Sequence, residues 1–176
     1  IVGGIPDISR FDDNALDMPK NLRAHWEKAN YAAMVEDMDT SVGIVIDELE
    51  ALGLADNTYV IFTSDNGGGS SNAPLQGGKA KMWEGGLRVP MIATGPGIPA
   101  NTQCDTPVAQ WDLLTTFHDL AGSAAPLPED LDGVSLRPVL EQGNAGQLDE
   151  RDTGFVFHFP AFYTVPITAY RAVSYT

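Results

Sequence analysis

The strongest constraint on the fold of this chain is a long helical pattern followed at once by a short, wholly apolar run. Between residues 30 and 52 the apolar side chains Tyr31, Met34, Val35, Met38, Val42, Val45, Leu49 and Leu52 advance by threes and fours. That spacing predicts an amphipathic helix with one buried face, ended by Gly53. The polar turn Ala55-Asp56-Asn57 leads into Thr58-Tyr59-Val60-Ile61-Phe62-Thr63, which is β-branched and aromatic, short enough for a strand, and apolar on both faces. A helix feeding a strand of that kind predicts a covered, mostly parallel sheet and therefore an α/β fold. Residues 1–22 have no sustained period and read as a loop or an incoming connection.

The remainder continues the pattern. Val89-Pro90-Met91-Ile92-Ala93-Thr94 is a second apolar run, stopped by Gly95-Pro96-Gly97. Leu113, Leu114, Phe117, Leu120 and Ala121 define another helix, capped by Gly122. A proline-rich, acidic connection over 125–133 precedes a short helical stretch at 136–142. Residues 154–159 and 169–174 alternate like strands of a smaller antiparallel sheet. Internal repeats and low-complexity tracts are absent from the sequence.

The chain has 176 residues, 43% of them hydrophobic and 9% aromatic, enough for the core of one ordinary domain. No uncharged apolar run reaches the roughly 18 residues of a membrane span, and the N-terminus has no signal-like segment, although a sequence that begins at Ile1 says little about compartment. Ten basic against twenty-four acidic residues give a net charge of −14, which speaks against nucleic acid as a partner. The same charge repels small anions at long range, so any anion site must be locally positive through a metal, a lysine or backbone amides. The single cysteine, Cys104, excludes an internal disulfide framework.

The chemistry concentrates after the first apolar run. Asp65 and Asn66 stand where that strand runs out, and ligand sites in open α/β sheets gather at the carboxyl ends of strands. A carboxylate and a carboxamide sharing one exit point suit a hard cation, Ca²⁺ or Mg²⁺, which takes oxygen donors; the pair fits equally an Asx turn ahead of Gly67. Lys79, after Gly77-Gly78, offers a point charge for a tetrahedral anion, or reads as a surface lysine like its neighbour Lys81. Glu84 and Arg88 flank Gly85-Gly86-Leu87 and read as a structural ion pair fixing the loop.

Several blocks in register carry a family likeness. Tyr31-Ala32-Ala33-Met34-Val35 with Asp39 and Val42-Gly43, Phe62-Thr63-Ser64-Asp65-Asn66-Gly67, Gly78-Lys79, Trp83-Glu84-Gly85-Gly86 with Arg88-Val89-Pro90, Asp112-Leu113-Leu114 with Thr116, and Leu131-Asp132-Gly133-Val134-Ser135-Leu136 with Pro138 resemble, in order and spacing, a type I sulfatase of the alkaline phosphatase superfamily. The resemblance implies part of an alkaline-phosphatase-like mixed, mostly parallel sheet flanked by helices, with residues 1–145 the C-terminal part of the α/β core. Residues 146–176 would begin a small antiparallel C-terminal subdomain and be truncated within it.

The resemblance further implies that Asp65 and Asn66 are the second pair of Ca²⁺ ligands, with Mg²⁺ the other candidate, and that Lys79 is the catalytic, substrate-binding lysine on a sulfate oxygen. His158, in a C-terminal region from which such enzymes often send a side chain toward the substrate, is a further candidate substrate contact. The family's nucleophile is a formylglycine made from cysteine in Cys-x-Pro-x-Arg. Cys104, in Cys104-Asp105-Thr106-Pro107, lacks that context and reads as a buried or idle thiol. Formylglycine is thus expected upstream of Ile1, and the 176-residue chain alone is expected to be inactive. His25 lacks the family's histidine context before the long helix, and His118 reads as a surface or boundary residue. The expected partner is a sulfated small molecule or glycan, and the resemblance implies a periplasmic or secreted parent. A phosphoryl or phosphonate hydrolase of the same superfamily, or a noncatalytic sulfated-glycan-binding module, are the alternatives.

Overall fold

The computed structural model describes residues 20–69, 72–149, 154–160 and 166–172, with 20–27 described as helical backbone alone. The chain divides into two compact units, residues 1–57 and 58–176.

In the first unit, α1 (Lys20–Ala51) runs for 32 residues and is followed by a 3-10 turn, Ala55–Asn57. It starts ten residues before the apolar period does. Leu22, Arg23, Ala24, Glu27, Lys28 and Ala29 are good helix formers, so propensity extends the helix where patterning gives no signal. The expected end holds: Gly53 has φ +66°, and the Leu54 N–H donates to the Leu49 carbonyl at 2.9 Å across the reversed turn. The expected burial does not hold. Tyr31 is 69% exposed and Met34, Val35, Met38, Val42 and Val45 are exposed too, while Ile46 and Leu49 are half-buried. The described part of this unit is one helix and a short turn, and a single helix cannot cover its own stripe.

The second unit runs β1 (Val60–Thr63), α2 (Glu84–Leu87), β2 (Met91–Thr94), α3 (Asp112–Leu120), α4 (Arg137–Gln142), a 3-10 turn, β3 (Phe155–Phe159) and β4 (Ile167–Arg171). β1 pairs antiparallel with β2, from Val60 opposite Thr94 to Thr63 opposite Met91. β3 pairs antiparallel with β4, from Phe155 opposite Arg171 to Phe159 opposite Ile167. The C-terminal antiparallel sheet is therefore present, whereas a parallel pairing is not seen among the described residues. Among the described residues of the connection from β1 to β2 the one helix is the four-residue α2. β1 is half-buried along its whole length, in keeping with its apolar run, but β2 alternates, with Ile92 64% exposed.

The core lies under α3 and α4. Leu136, Val139 and Leu148 are buried, with Met91, Val108, Leu113, Val134 and Leu140 packed around them; each fully buried aliphatic side chain of this size stabilises by about 1.5–3 kcal/mol. Phe155 is buried against Trp111, ring centroids 5.7 Å apart and edge-on, and Phe157 lies 5.5 Å from the same indole. These contacts fasten the β3/β4 hairpin to the start of α3.

Two polar side chains inside this core have no solvent exposure, Asp112 and Thr116. The Asp112 carboxylate accepts from the Ala109 N–H at 2.7 Å and the Val134 N–H at 3.1 Å. The Thr116 hydroxyl donates to the Asp112 carbonyl at 2.7 Å and accepts from the Leu136 N–H at 2.9 Å. Gly133 brings its backbone against that of Trp111 and Asp112, where a β-carbon would collide. The blocks at 112–116 and 131–136 are thus two halves of one structural joint. α3 ends at Gly122, φ +59°, with the Ser123 N–H donating to the His118 carbonyl at 3.1 Å. His118 itself is taken up at that end, its Nε2 2.7 Å from the Ala125 carbonyl.

On the rim of the joint the Ser135 hydroxyl donates to Asp119 at 2.6 Å, and Arg137 reaches both Asp119 at 3.3 Å and Glu141 at 2.7 Å. The Ser135 bond foremost, and Arg137 after it, hold the Asp119 carboxyl below its ordinary value against the opposing pull of burial.

Candidate metal and anion site

The end of β1 is pinned at one residue after another. The Thr63 hydroxyl donates to the Pro90 carbonyl at 3.0 Å, the Ser64 hydroxyl to the Asn66 carbonyl at 2.9 Å, and the Gly67 N–H to the Gly86 carbonyl at 3.0 Å. From the residues before α3, the Gln110 amide donates to the Ser64 carbonyl at 2.5 Å. The Lys79 N–H donates to the Gly68 carbonyl at 3.0 Å, and the Gly85 N–H to the Gln76 carbonyl at 2.8 Å. Asn72 bridges the same strands of loop, its amide reaching the carbonyls of Gly68 at 3.0 Å and Gly77 at 3.1 Å.

Glycine makes this interweaving feasible. A β-carbon on buried Gly67 would strike the backbone of Gly85, and one on Gly86 would strike the backbone of Lys81 and Gly78. Three backbone segments, 66–68, 76–79 and 85–86, therefore lie in direct contact. Gly85 and Gly86 also hide α2 from sequence reading, because Gly-Gly in a helix is unfavourable by about 1 kcal/mol per residue and reads as loop.

Asp65 is exposed and Asn66 half-buried, and their side chains converge, the Asn66 amide nitrogen 2.5 Å from Asp65 Oδ2. The Lys79 side chain is exposed, and its backbone bond to Gly68 places it beside the loop that leaves Asp65. The donor set has the right chemistry for calcium or magnesium: hard carboxylate and carboxamide oxygens at one point. Turning the Asn66 amide by half a rotation presents Oδ1 beside the carboxylate without moving the backbone. Calcium takes about six to eight oxygens, so these two residues would be part of a larger set. Among the described residues no cluster of three or more His, Cys, Asp or Glu side chains is found.

The other candidates lie elsewhere. His158 is exposed on β3, its Nδ1 2.8 Å from the Thr168 hydroxyl directly across the hairpin. Glu84 pairs not with Arg88 but with Arg171 of β4, at 2.8 Å. The Arg88 N–H closes the single turn of α2 on the Glu84 carbonyl at 2.8 Å, but Arg88 itself leaves the helix with an extended backbone, and the Glu84 carboxylate is taken by Arg171. Cys104 is exposed rather than buried. His25 falls within α1 rather than before it. Gln110 was not foreseen, since a lone glutamine ahead of a helix carries no chemical signal in a sequence.

Comparison with known proteins bears on what this loop belongs to. The family model described as Sulfatase matches residues 11–123, more than half of the chain. The chain belongs to the sulfatase family. It is 39% identical to human steryl-sulfatase over 160 residues, covering 82% of this chain and 26% of that protein. A sulfatase of Formosa agariphila is 36% identical over 161 residues, covering 83% and 29% respectively. The N-acetylgalactosamine-6-sulfatase of the dog, Canis lupus familiaris, is 36% identical over 159 residues, covering 85% and 30%. The chain thus spans under a third of the length of these curated relatives. Membership carries the alkaline-phosphatase-like α/β architecture, and both the strand-exit block at 62–67 and the loop block at 78–88 fall inside the matched region.

Proposed function

We propose that this chain is the metal- and sulfate-binding part of an enzyme that hydrolyses sulfate esters, with Asp65 and Asn66 as metal ligands and Lys79 as the lysine on the substrate's sulfate. The observation that carries the reading is the backbone bond from Lys79 to Gly68, which sets the lysine's loop against the loop carrying the carboxylate and carboxamide. The metal, calcium in first place and magnesium in second, would supply charge neutralisation for the sulfuryl group in flight. Asp65 and Asn66 would hold that ion at the end of β1. Lys79 would bind a sulfate oxygen and stabilise the charge that grows on it, its backbone anchored in a tightly woven loop. The attacking group, a formylglycine hydrate, belongs to a segment outside this sequence.

Around that centre, β1 and β2 would be strands of a larger, mostly parallel sheet, with residues 1–145 belonging to the core and 146–176 to the C-terminal subdomain. His158 would be a further substrate contact, and the salt bridge from Arg171 to Glu84 supports this by tying the hairpin to the loop that follows Lys79. The substrate class is a sulfated small molecule or glycan; the named relatives are steryl- and N-acetylgalactosamine-6-sulfatases, which favours sulfate over phosphate esters.

The test is turnover of an aryl sulfate by the full natural protein with calcium. Lys79→Ala should lower kcat/KM by about 10²-fold or more while leaving the Tm unchanged, because the side chain is exposed. Preference for an aryl phosphate would move the protein to phosphoryl transfer. Binding of a sulfated sugar that Lys79→Ala weakens, without turnover, would make it a binding module.

A further inference from the structure

We infer that Gln110 is a positioning residue for the metal-ligand pair, an inference that rests on the proposed role of Asp65 and Asn66. Its side-chain amide crosses 46 residues of sequence to donate to the Ser64 carbonyl at 2.5 Å. Ser64 immediately precedes Asp65, so that carbonyl belongs to the peptide unit whose nitrogen is Asp65's own. Rotation of this peptide unit swings the Asp65 side chain, and Gln110 makes the short bond to its oxygen, beside a long 3.4 Å contact from the neighbouring Thr63 hydroxyl.

The other contacts of this stretch restrain that rotation weakly, through the 3.4 Å approach of the adjacent Thr63 hydroxyl alone. The Thr63 hydroxyl fixes the strand end to Pro90, and the Gly67 N–H fixes the far side of the turn to Gly86. Ser64 closes on Asn66 through its own hydroxyl, a bond within the turn that travels with it. Among these, the Gln110 contact alone comes from a distant segment onto the peptide before the carboxylate; the Thr63 hydroxyl that also approaches it belongs to the adjoining residue and has its shorter bond to Pro90. Gln110 is in turn held by rigid neighbours: Trp111 packs on Phe155 and Phe157, and Asp112 is locked in the buried joint. A firm point in the core is thereby transmitted to the metal loop through one amide.

Gln110 is exposed, and an exposed hydrogen bond adds little to global stability. Its effect should be local: outer-sphere partners of metal ligands tune affinity by about 10–100-fold when removed. Since Gln110 acts on backbone next to the ligand and not on the ligand itself, the low end of that range applies.

The experiment measures Ca²⁺ affinity by calorimetry on the full natural protein, with Asp65→Ala, Gln110→Met and Gln110→Lys. Methionine keeps the length and loses the donor; lysine restores a donor. We expect Asp65→Ala to abolish the calcium site, Gln110→Met to weaken it about tenfold with an unchanged Tm, and Gln110→Lys to recover most of the loss. If Asp65→Ala abolishes binding and Gln110→Met binds as the parent does, the positioning role is wrong and the ligand reading stands. If Asp65→Ala leaves calcium binding intact, the ligand reading fails and takes this inference with it.

Discussion

The joint between α3 and the 131–136 segment and the loop at the end of β1 are both built from short, polar, glycine-containing blocks, yet they use their polar groups in opposite ways. In the joint, Asp112 and Thr116 are sealed from water, and each bonds to backbone across the fold. In the loop, the backbone makes the connections, through Gly67, Gly68, Lys79, Gly85 and Gly86, while Asp65 and Lys79 keep their side chains in solvent. A block whose acid is consumed by internal hydrogen bonds is architecture. A block whose backbone is consumed and whose acid stays in solvent, bonded only to the neighbouring Asn66 amide among the described contacts, is available for chemistry.

That contrast breaks most directly at Asp112. Asp112→Ala strands the N–H groups of Ala109 and Val134 inside the protein, and we expect a loss of about 3 kcal/mol or more, read as a lower urea midpoint of the full natural protein. Asp65→Ala, by comparison, should leave the midpoint within about 0.5 kcal/mol of the parent in the absence of metal, as for other exposed positions. Equal losses at the two aspartates would erase the distinction.

Gly86→Ala probes the loop from its backbone side. The new methyl group meets the backbone of Gly78 and Lys81, so the loop must open, at about 1–3 kcal/mol. Amide exchange should quicken at Gly67, whose N–H is bonded to the Gly86 carbonyl, and spread to Lys79, with the α3 joint unaffected. Exchange that quickens in the joint as well would show the two regions to be one cooperative piece.

The smallest effect is expected at the rim of the joint. Asp119 has a lowered folded pKa, chiefly through Ser135 and then Arg137. A carboxyl depressed on folding stabilises above its unfolded value, and that stabilisation is lost as pH falls through the lower folded value. Ser135→Ala should therefore destabilise at neutral pH and differ less from the parent in acid. Because Asp119 and Arg137 are well exposed, at 39% and 46%, solvent screens the effect, and a gap that widens on acidification would contradict the assignment.

How much of this was readable in advance depends on which force sets each element. The ends of α1 and α3 at Gly53 and Gly122 were legible, because a left-handed residue after a helical period has a local cause. The stretch over 136–142 and the first strand of the C-terminal hairpin were legible from periodicity, whereas its second strand, expected at 169–174, runs Ile167–Arg171, with residues 173 and 174 outside the described residues. The early start of α1 was not, since propensity without an apolar period leaves no pattern. The exposure of Met34, Met38 and Val42 was not either, for burial is a property of neighbours that a helix's own sequence does not contain. The antiparallel return of β2 was not legible, since the direction of pairing is set by the path of the connecting chain and not by the strand sequences themselves. At the site, Asp65, Asn66 and Lys79 stood out by residue type. The partner of Glu84 and the reach of Gln110 depended on tertiary contacts 87 and 46 residues away, beyond any local rule.

The most direct test of the metal site is a crystal structure of the full natural protein grown with calcium. The cation should lie about 2.3–2.6 Å from an oxygen of Asp65 and from Asn66 Oδ1, with the Asn66 amide turned from its present donation to Asp65. A calcium ion bound elsewhere, with the Asn66 nitrogen still donating to the Asp65 carboxylate, would contradict the assignment of these residues as its ligands.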